Sequence, residues 1–288
     1  MQMKTMADLR RRLYTSLILG SIVTVLIAFS TFPFVNILLV LSVAVLAGFG
    51  VWEYAQLAIA KGMRARVRWM VGAAVAEVFA LYASIVFVDF PQLPIFVLAI
   101  AMVMFFLLHF NDSSEALSEI SVEFFGIAYV AVPLSLMLGV LYPAAHHGAP
   151  QEGRWWLVYL IVVTKITDVG AYFVGRLWGR HKLSSLSPKK TVEGAVAGFL
   201  CAVGMSVAFH YLSNLFFAHH FHLTLIESVW LGALIGIFGQ IGDLAESLLK
   251  RDAVVKDSNN LPGLGGILDM VDSLLFTTPI VYFFIRMH

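Results

Sequence analysis

The chain has 288 residues, 60% hydrophobic and only 13% charged, with a formal net charge of +1 and a mean hydropathy of +0.86. That composition excludes an ordinary soluble globular domain and identifies a membrane protein. The lone Cys201 excludes a disulfide framework and a thiolate metal site, and in its apolar stretch it reads as a small buried residue.

A bilayer span needs roughly 20 mainly apolar residues, which leaves room for about nine in a chain of this length. In chain order the spans are expected at 13–31, 34–60, 67–88, 92–110, 117–142, 154–178, 193–217, 224–248 and 267–286. The fold class is therefore all-α, a polytopic membrane protein. No internal repeat, low-complexity run or long loop is visible, so residues 1–288 read as a single membrane domain. Lys4, Arg10, Arg11 and Arg12 precede a long apolar run without a small-residue cleavage site, which predicts a retained anchor rather than a signal peptide. With the N-terminus inside, every Lys and Arg except Arg154, Lys165 and Arg286 falls in an inside segment. This predicts an odd number of helices, N-terminus in and C-terminus out. The resulting basic inner face favours anionic headgroups or phosphorylated substrates, and nothing supports nucleic-acid binding.

Up to about residue 150 the sequence reads as hydrophobic scaffold. Trp52 reads as an interfacial anchor beside Glu53, and Asp112, Glu115, Glu119 and Glu123 read as a solvated loop and helix end. His146 and His147, with His219, His220 and His222 further on, lack acidic or Cys partners at ligand spacing and define no metal site.

Residues 151–288 differ. Lys165, Asp168, Glu193, Asp243, Glu246, Asp269 and Asp272 fall in or at the edges of spans, where each charge costs of the order of 3 kcal/mol and persists mainly when it faces a bundle interior or watery cavity. In the segment 167–179, Asp168, Tyr172 and Gly175 share a helical face, and Lys165 stands three residues before Asp168 as an ion-pair partner. In SPKKTVEG, residues 187–194, Ser187 and Pro188 close a loop, Lys189 and Lys190 supply two ammonium groups, and Thr191 can cap the next helix. Two lysines at a helix N-terminus suit a triphosphate, and a positive-inside loop would also account for them.

The segment 242–273 places Asp243, Ser247 and Arg251 on one helical face beside a Glu246–Lys250 pair. Pro262, Gly263, Gly265 and Gly266 break that helix before Asp269 and Asp272 open the next. Carboxylates converging across this hairpin would make a hard oxygen site suited to Mg²⁺, with phosphate oxygens completing its octahedron and Lys250, Arg251 and Lys256 on the phosphate side. A purely structural ion-pair network is the alternative account, since buried pairs alone can keep such charges in a membrane.

These residues resemble the phosphatidate cytidylyltransferase (CDP-diacylglycerol synthase) family, whose signature runs S-x-x-K-R-x4-K-D, P-G-H-G-G, then D-R-x-D. Ser247, Lys250, Arg251, Lys256, Asp257, Pro262, Gly263, Gly265, Gly266, Asp269 and Asp272 match it in order, and SPKKT and the segment around Asp168 and Tyr172 match its upstream motifs. The chain departs from the pattern at Leu264 (family His), Met270 (family Arg) and Val192 (family Trp). The resemblance implies transfer of a cytidylyl group from CTP to phosphatidate, releasing pyrophosphate, in the cytoplasmic membrane of a bacterium by a homodimer. It implies Mg²⁺, with room for a second cation, held by Asp243, Asp269 and Asp272, of which Asp243 and Asp272 would be direct ligands. Ser247, Lys250 and Arg251 would join those carboxylates in catalysis. Asp168, Tyr172, Ser187, Lys189, Lys190, Thr191, Glu193, Lys256, Asp257, Gly265 and Gly266 would bind substrate. Two rivals share parts of this pattern: a CTP-dependent enzyme acting on an isoprenoid lipid, and a transporter, for which inverted repeats would be expected.

Overall fold

Prolines at 33, 94 and 133 each stand in a first helical turn, where the missing N–H costs nothing, and punctuate the apolar runs into separate helices. The computed structural model describes residues 20–88, 90–111, 114–143, 150–217, 221–254 and 266–287. The helices are α1 (residues 20–28), α2 (Pro33–Ala60), α3 (Val67–Val86), α4 (Leu93–His109), α5 (Ala116–Gly126), α6 (Val132–Leu141), α7 (Pro150–Trp178), α8 (Val192–Leu212), α9 (Leu225–Asp252) and α10 (Ile267–Met287). A π-helical turn, Ile127–Ala131, joins α5 to α6, and a second, Ser213–Phe217, follows α8.

Among the described residues, seven segments are long and apolar enough to cross a membrane: α2, α3, the α5–α6 unit Ala116–Leu141, and α7 to α10. Helix α4, where the fourth span was expected, is apolar but only 17 residues long. Residues 13–19 of the first expected span lie outside the described residues, as do Lys4, Arg10 to Arg12, His146, His147, His219 and His220.

One hydrophobic core runs from Ile27 to Phe284 and draws on both halves of the chain. Around α8 the packing depends on small residues, as expected where lipid supplies no hydrophobic drive between helices. Cys201 packs against Gly170, and a Cβ on Gly198 would stand 2.7 Å from the Thr167 carbonyl oxygen of α7. Gly232 meets Ser206 and Val203 of α8 as closely. Gly198→Ala is therefore expected to prise α7 from α8 and lower stability by about 1–3 kcal/mol, read as a reduced melting temperature in detergent.

The first half is not simple scaffold. Glu119 and Glu123, expected in solvent, are 6% and 0% exposed. Glu123 Oε1 accepts the Arg66 N–H at 2.8 Å, the Arg66 guanidinium contacts the His109 ring and donates to the Leu108 carbonyl at 2.8 Å, and His109 Nε2 lies 3.1 Å from Glu119 Oε2. Three helix ends thus share one polar knot joining α3, α4 and α5. Periodicity within α5 could not reveal it, because the partners lie 10 to 57 residues away.

Candidate functional site

Six tertiary contacts bring the charged helix ends to one end of the bundle. The end of α2 reaches the end of α9 through a Lys61–Asp252 ion pair. Lys190 Nζ, before α8, lies 2.9 Å from Asp243 Oδ2 on α9. Lys165 Nζ, on α7, donates to the Met270 carbonyl and to Ser273 Oγ on α10, both at 3.1 Å, while holding Asp168 at 3.4 Å. The remaining two come from Glu53 on α2. Its carboxylate, 2% exposed, accepts the N–H groups of Ile267 at 2.9 Å and Leu268 at 2.7 Å. Those are orphan donors of the first turn of α10, so a residue some 214 positions away caps the helix that carries Asp269 and Asp272.

The α7–α8 connection folds back on itself. Leu183 N–H donates to the Lys190 carbonyl, and Val192 N–H to the His181 carbonyl, both at 2.9 Å. Thr191 accepts from the Gly194 N–H, as its position before α8 predicts. Glu193, expected at the substrate, engages this loop instead: it accepts the N–H groups of Arg180 and His181 and pairs with His181 Nδ1 at 2.6 Å. Arg251 Nε donates to the Leu186 carbonyl at 3.3 Å, tying the end of α9 to the same loop.

Between this loop, α7, α8 and α9 lies a cavity of about 690 Å³, a volume suited to a nucleotide. Asp168 and Asp243 supply its carboxylates and Arg176, Lys189 and Lys190 its cations. Tyr172, Ser187 and Thr191, singled out from the sequence, also line it, whereas Gln240 and Arg176 were not anticipated. Gln240 could have been noticed as an amide in an apolar span. It donates to the Ala195 carbonyl at 3.1 Å and to the Gly236 carbonyl at 2.8 Å, locking α8 against α9.

Behind Asp243 at the edge of the cavity the carboxyl group of Asp272 lies close by, with Asp168 in electrostatic reach of Asp243. Asp168 Oδ1 is buried without a hydrogen-bond partner. Neighbouring carboxylates repel one another unless a proton or a cation offsets their charge. Asp269 is placed differently from expectation: its carboxylate pairs with Lys250, which also holds Glu246 at 2.7 Å. Three positions along the helix from Asp272, Asp269 sits on the exposed edge of α10, where the Lys250 ammonium reaches it first. Ser247 is half-buried one turn beyond Asp243, and Gly266 is buried just before α10. Lys256, Asp257 and Gly265 lie outside the described residues, as does Leu264.

Among the described residues, no three carboxylate, imidazole or thiolate groups form a ready-made metal cluster. The Asp243–Asp272 pair and the orphan oxygen of Asp168 nonetheless fit Mg²⁺, which takes one or two protein carboxylates and leaves its other positions to water and phosphate.

Fold and site together define a membrane-embedded helical protein with a basic, carboxylate-edged cavity suited to a phosphorylated ligand. The sequence matches the Cytidylyltransferase family over residues 10–288, and the chain belongs to that family. Among similar proteins, the phosphatidate cytidylyltransferase of Chlamydia pneumoniae is 34% identical, with 96% of this chain and 92% of that protein aligned. That of Synechocystis sp. is also 34% identical, over 94% of this chain and 96% of that protein. The chloroplastic phosphatidate cytidylyltransferase 4 of Arabidopsis thaliana is 35% identical, over 79% of this chain and 61% of that protein.

Proposed function

We propose that this chain is a phosphatidate cytidylyltransferase, converting CTP and phosphatidate to CDP-diacylglycerol and pyrophosphate. The observation that carries the reading is the cavity lined by Asp168, Asp243, Lys189 and Lys190, with Asp272 near Asp243. The near-full-length likeness to proteins of that name supports it. In this reaction an oxygen of the lipid phosphate attacks the α-phosphorus of CTP, the bond from that phosphorus to the β-phosphate bridging oxygen breaks, and pyrophosphate leaves. A phosphate monoester is largely dianionic at neutral pH, so no protein base is required, and positioning and charge neutralisation do the catalysis.

Asp243 and Asp272, with Asp168 beside them, would hold Mg²⁺, which when bound supplies positive charge to the transferring phosphoryl group. Lys189, Lys190 and Arg176 neutralise the β- and γ-phosphates within the cavity. Lys165 keeps α7 against α10 and so fixes the spacing of Asp168 and Asp272. Lys250 binds Asp269 and Glu246, and orders the start of α10 beside the end of α9. The concentration of Lys61, Arg64, Arg66, Arg68, Arg180 and Lys182 at the same end as the cavity supports an orientation facing the cytoplasm, where CTP is found. A bacterial cytoplasmic membrane is the matching location.

Lys190→Ala is expected to lower kcat/KM for CTP by about 10–100-fold, the loss of one charged hydrogen bond to phosphate, with the Km for lipid little changed in mixed-micelle kinetics. A second reading, an isoprenoid acceptor, is favoured only by Leu264 and Met270, which supply no donor to a headgroup. Met270 engages Lys165 through its backbone carbonyl alone. CTP labelled separately at the α- and γ-phosphates decides the reaction. With phosphatidate, α-label should enter lipid and γ-label should appear in pyrophosphate. A CTP-dependent kinase would instead put γ-label into lipid. Folded protein that labels isoprenoid acceptors but not phosphatidate would sink the proposal.

A further inference from the structure

Tyr129 belongs to the half of the chain that reads as scaffold, yet its surroundings belong to the site. It stands in the π-helical turn Ile127–Ala131. Such a turn gives up regular helical bonding and recurs where a helix must aim a side chain at a functional centre. The ring of Tyr129 stacks on Phe125 with centroids 5.5 Å apart and lies against Tyr54 at 6.3 Å. It also packs edge-on to Phe276 of α10 at 6.2 Å. Phe276 is one helical turn beyond Asp272, on the same face. Through that packing the ring reaches the helix that carries Asp272, and the hydroxyl is within electrostatic reach of Glu246, Asp272 and Asp243. It is buried and has no hydrogen-bond partner.

A buried hydroxyl without a partner costs about 1–3 kcal/mol, and the π turn is a second local departure from regular structure at the same place. Both are accounted for if the partner arrives with substrate. Tyr129 does not line the nucleotide cavity. It approaches the carboxylates from the α2–α5–α10 side, behind an aromatic collar whose outermost member, Phe125, is 49% exposed on the surface of the bundle. That side offers largely aromatic surface leading to the Tyr129 hydroxyl, which matches a lipid phosphate and not a cytidine triphosphate.

Resting on the cytidylyltransferase reading, we infer that the Tyr129 hydroxyl donates a hydrogen bond to the phosphate of the acceptor lipid and orients its attacking oxygen beside the Asp243–Asp272 pair. The two substrates then enter from opposite sides of those carboxylates: CTP through the basic cavity between α7, α8 and α9, the phosphomonoester lipid along the Tyr54–Phe125–Tyr129–Phe276 collar.

Tyr129→Phe removes the oxygen and nothing else. Steady-state kinetics in mixed micelles, varying each substrate in turn, should show the KM for phosphatidate raised about tenfold or more. The KM for CTP should stay within twofold of wild type, and the melting temperature should be unchanged or higher because a buried unpartnered hydroxyl is gone. A lipid KM within twofold of wild type overturns the inference, and so does an effect confined to CTP. A drop in melting temperature with proportionate loss of both kinetic constants shows a structural hydroxyl and also overturns it. Failure of the functional reading looks different, because wild-type protein would then form no CDP-lipid at all.

Discussion

Asp243→Asn is expected to lower the rate of CDP-lipid formation by at least about 10³-fold, and Asp272→Asn to do the same, while neither variant loses stability. Charge acts with opposite signs on the two readouts. In the ligand-free protein Asp243 and Asp272 lie close together, with Asp168 in reach, so neutralising one carboxylate relieves like-charge repulsion that outweighs the partly exposed Lys190–Asp243 pair, and the melting temperature should hold or rise. In the reaction the same carboxylates anchor positive charge against a phosphoryl group, and losing one such contact costs about 4 kcal/mol of transition-state stabilisation. Initial rates at saturating CTP and lipid, with Mg²⁺ titrated, measure the first effect, and thermal unfolding in detergent measures the second. The apparent Mg²⁺ affinity should weaken in both variants. A structural ion-pair network would behave in reverse: stability would fall and the rate would stay within tenfold.

Glu53→Ala is the second large effect. The carboxylate caps α10 through two backbone N–H groups inside the bundle, where water does not replace it. Its removal leaves two buried donors unpaired and takes negative charge from a helix N-terminus, a loss of about 2–4 kcal/mol. The first turns of α10 carry Asp269 and Asp272, so their displacement should also cut the rate by about 10–100-fold, as misplacement of roughly an ångström does elsewhere. Glu53→Gln keeps one strong acceptor and should recover part of both losses, which separates capping from simple cavity formation. Comparing melting temperatures and rates for the three proteins tests this. A Glu53→Ala protein with normal stability would show that α10 is held by its packing alone.

Much of the site was legible because its parts obey local rules. The Lys165–Asp168 pair is a three-residue spacing on one helix and the Glu246–Lys250 pair a four-residue one. Thr191 caps α8 from the adjacent position. The convergence of the segments was readable only as a resemblance, since the distance from Lys190 to Asp243 spans 53 residues. Where local and distant partners compete, helical spacing cannot name the winner. Asp269 and Asp272 are three apart, yet one turns to Lys250 and the other to Asp243. Glu193 has the position of a phosphate-loop residue and is taken by the loop backbone.

Sequence by itself determined that the chain is a helical membrane protein and where its apolar runs lie, because a bilayer demands about 20 apolar residues in succession and internally satisfied backbone. It also determined which charges are costly enough to need a purpose. Only the tertiary structure decided how those charges pair and that the first half serves the site. Glu53 and Tyr129 are a lone acid and a lone phenol in apolar runs, and neither carries a local signal of its partner. Helix packing brings one to the start of α10 and the other against Phe276 of the same helix, and such packing depends on the shapes of whole helices rather than on any short stretch of residues.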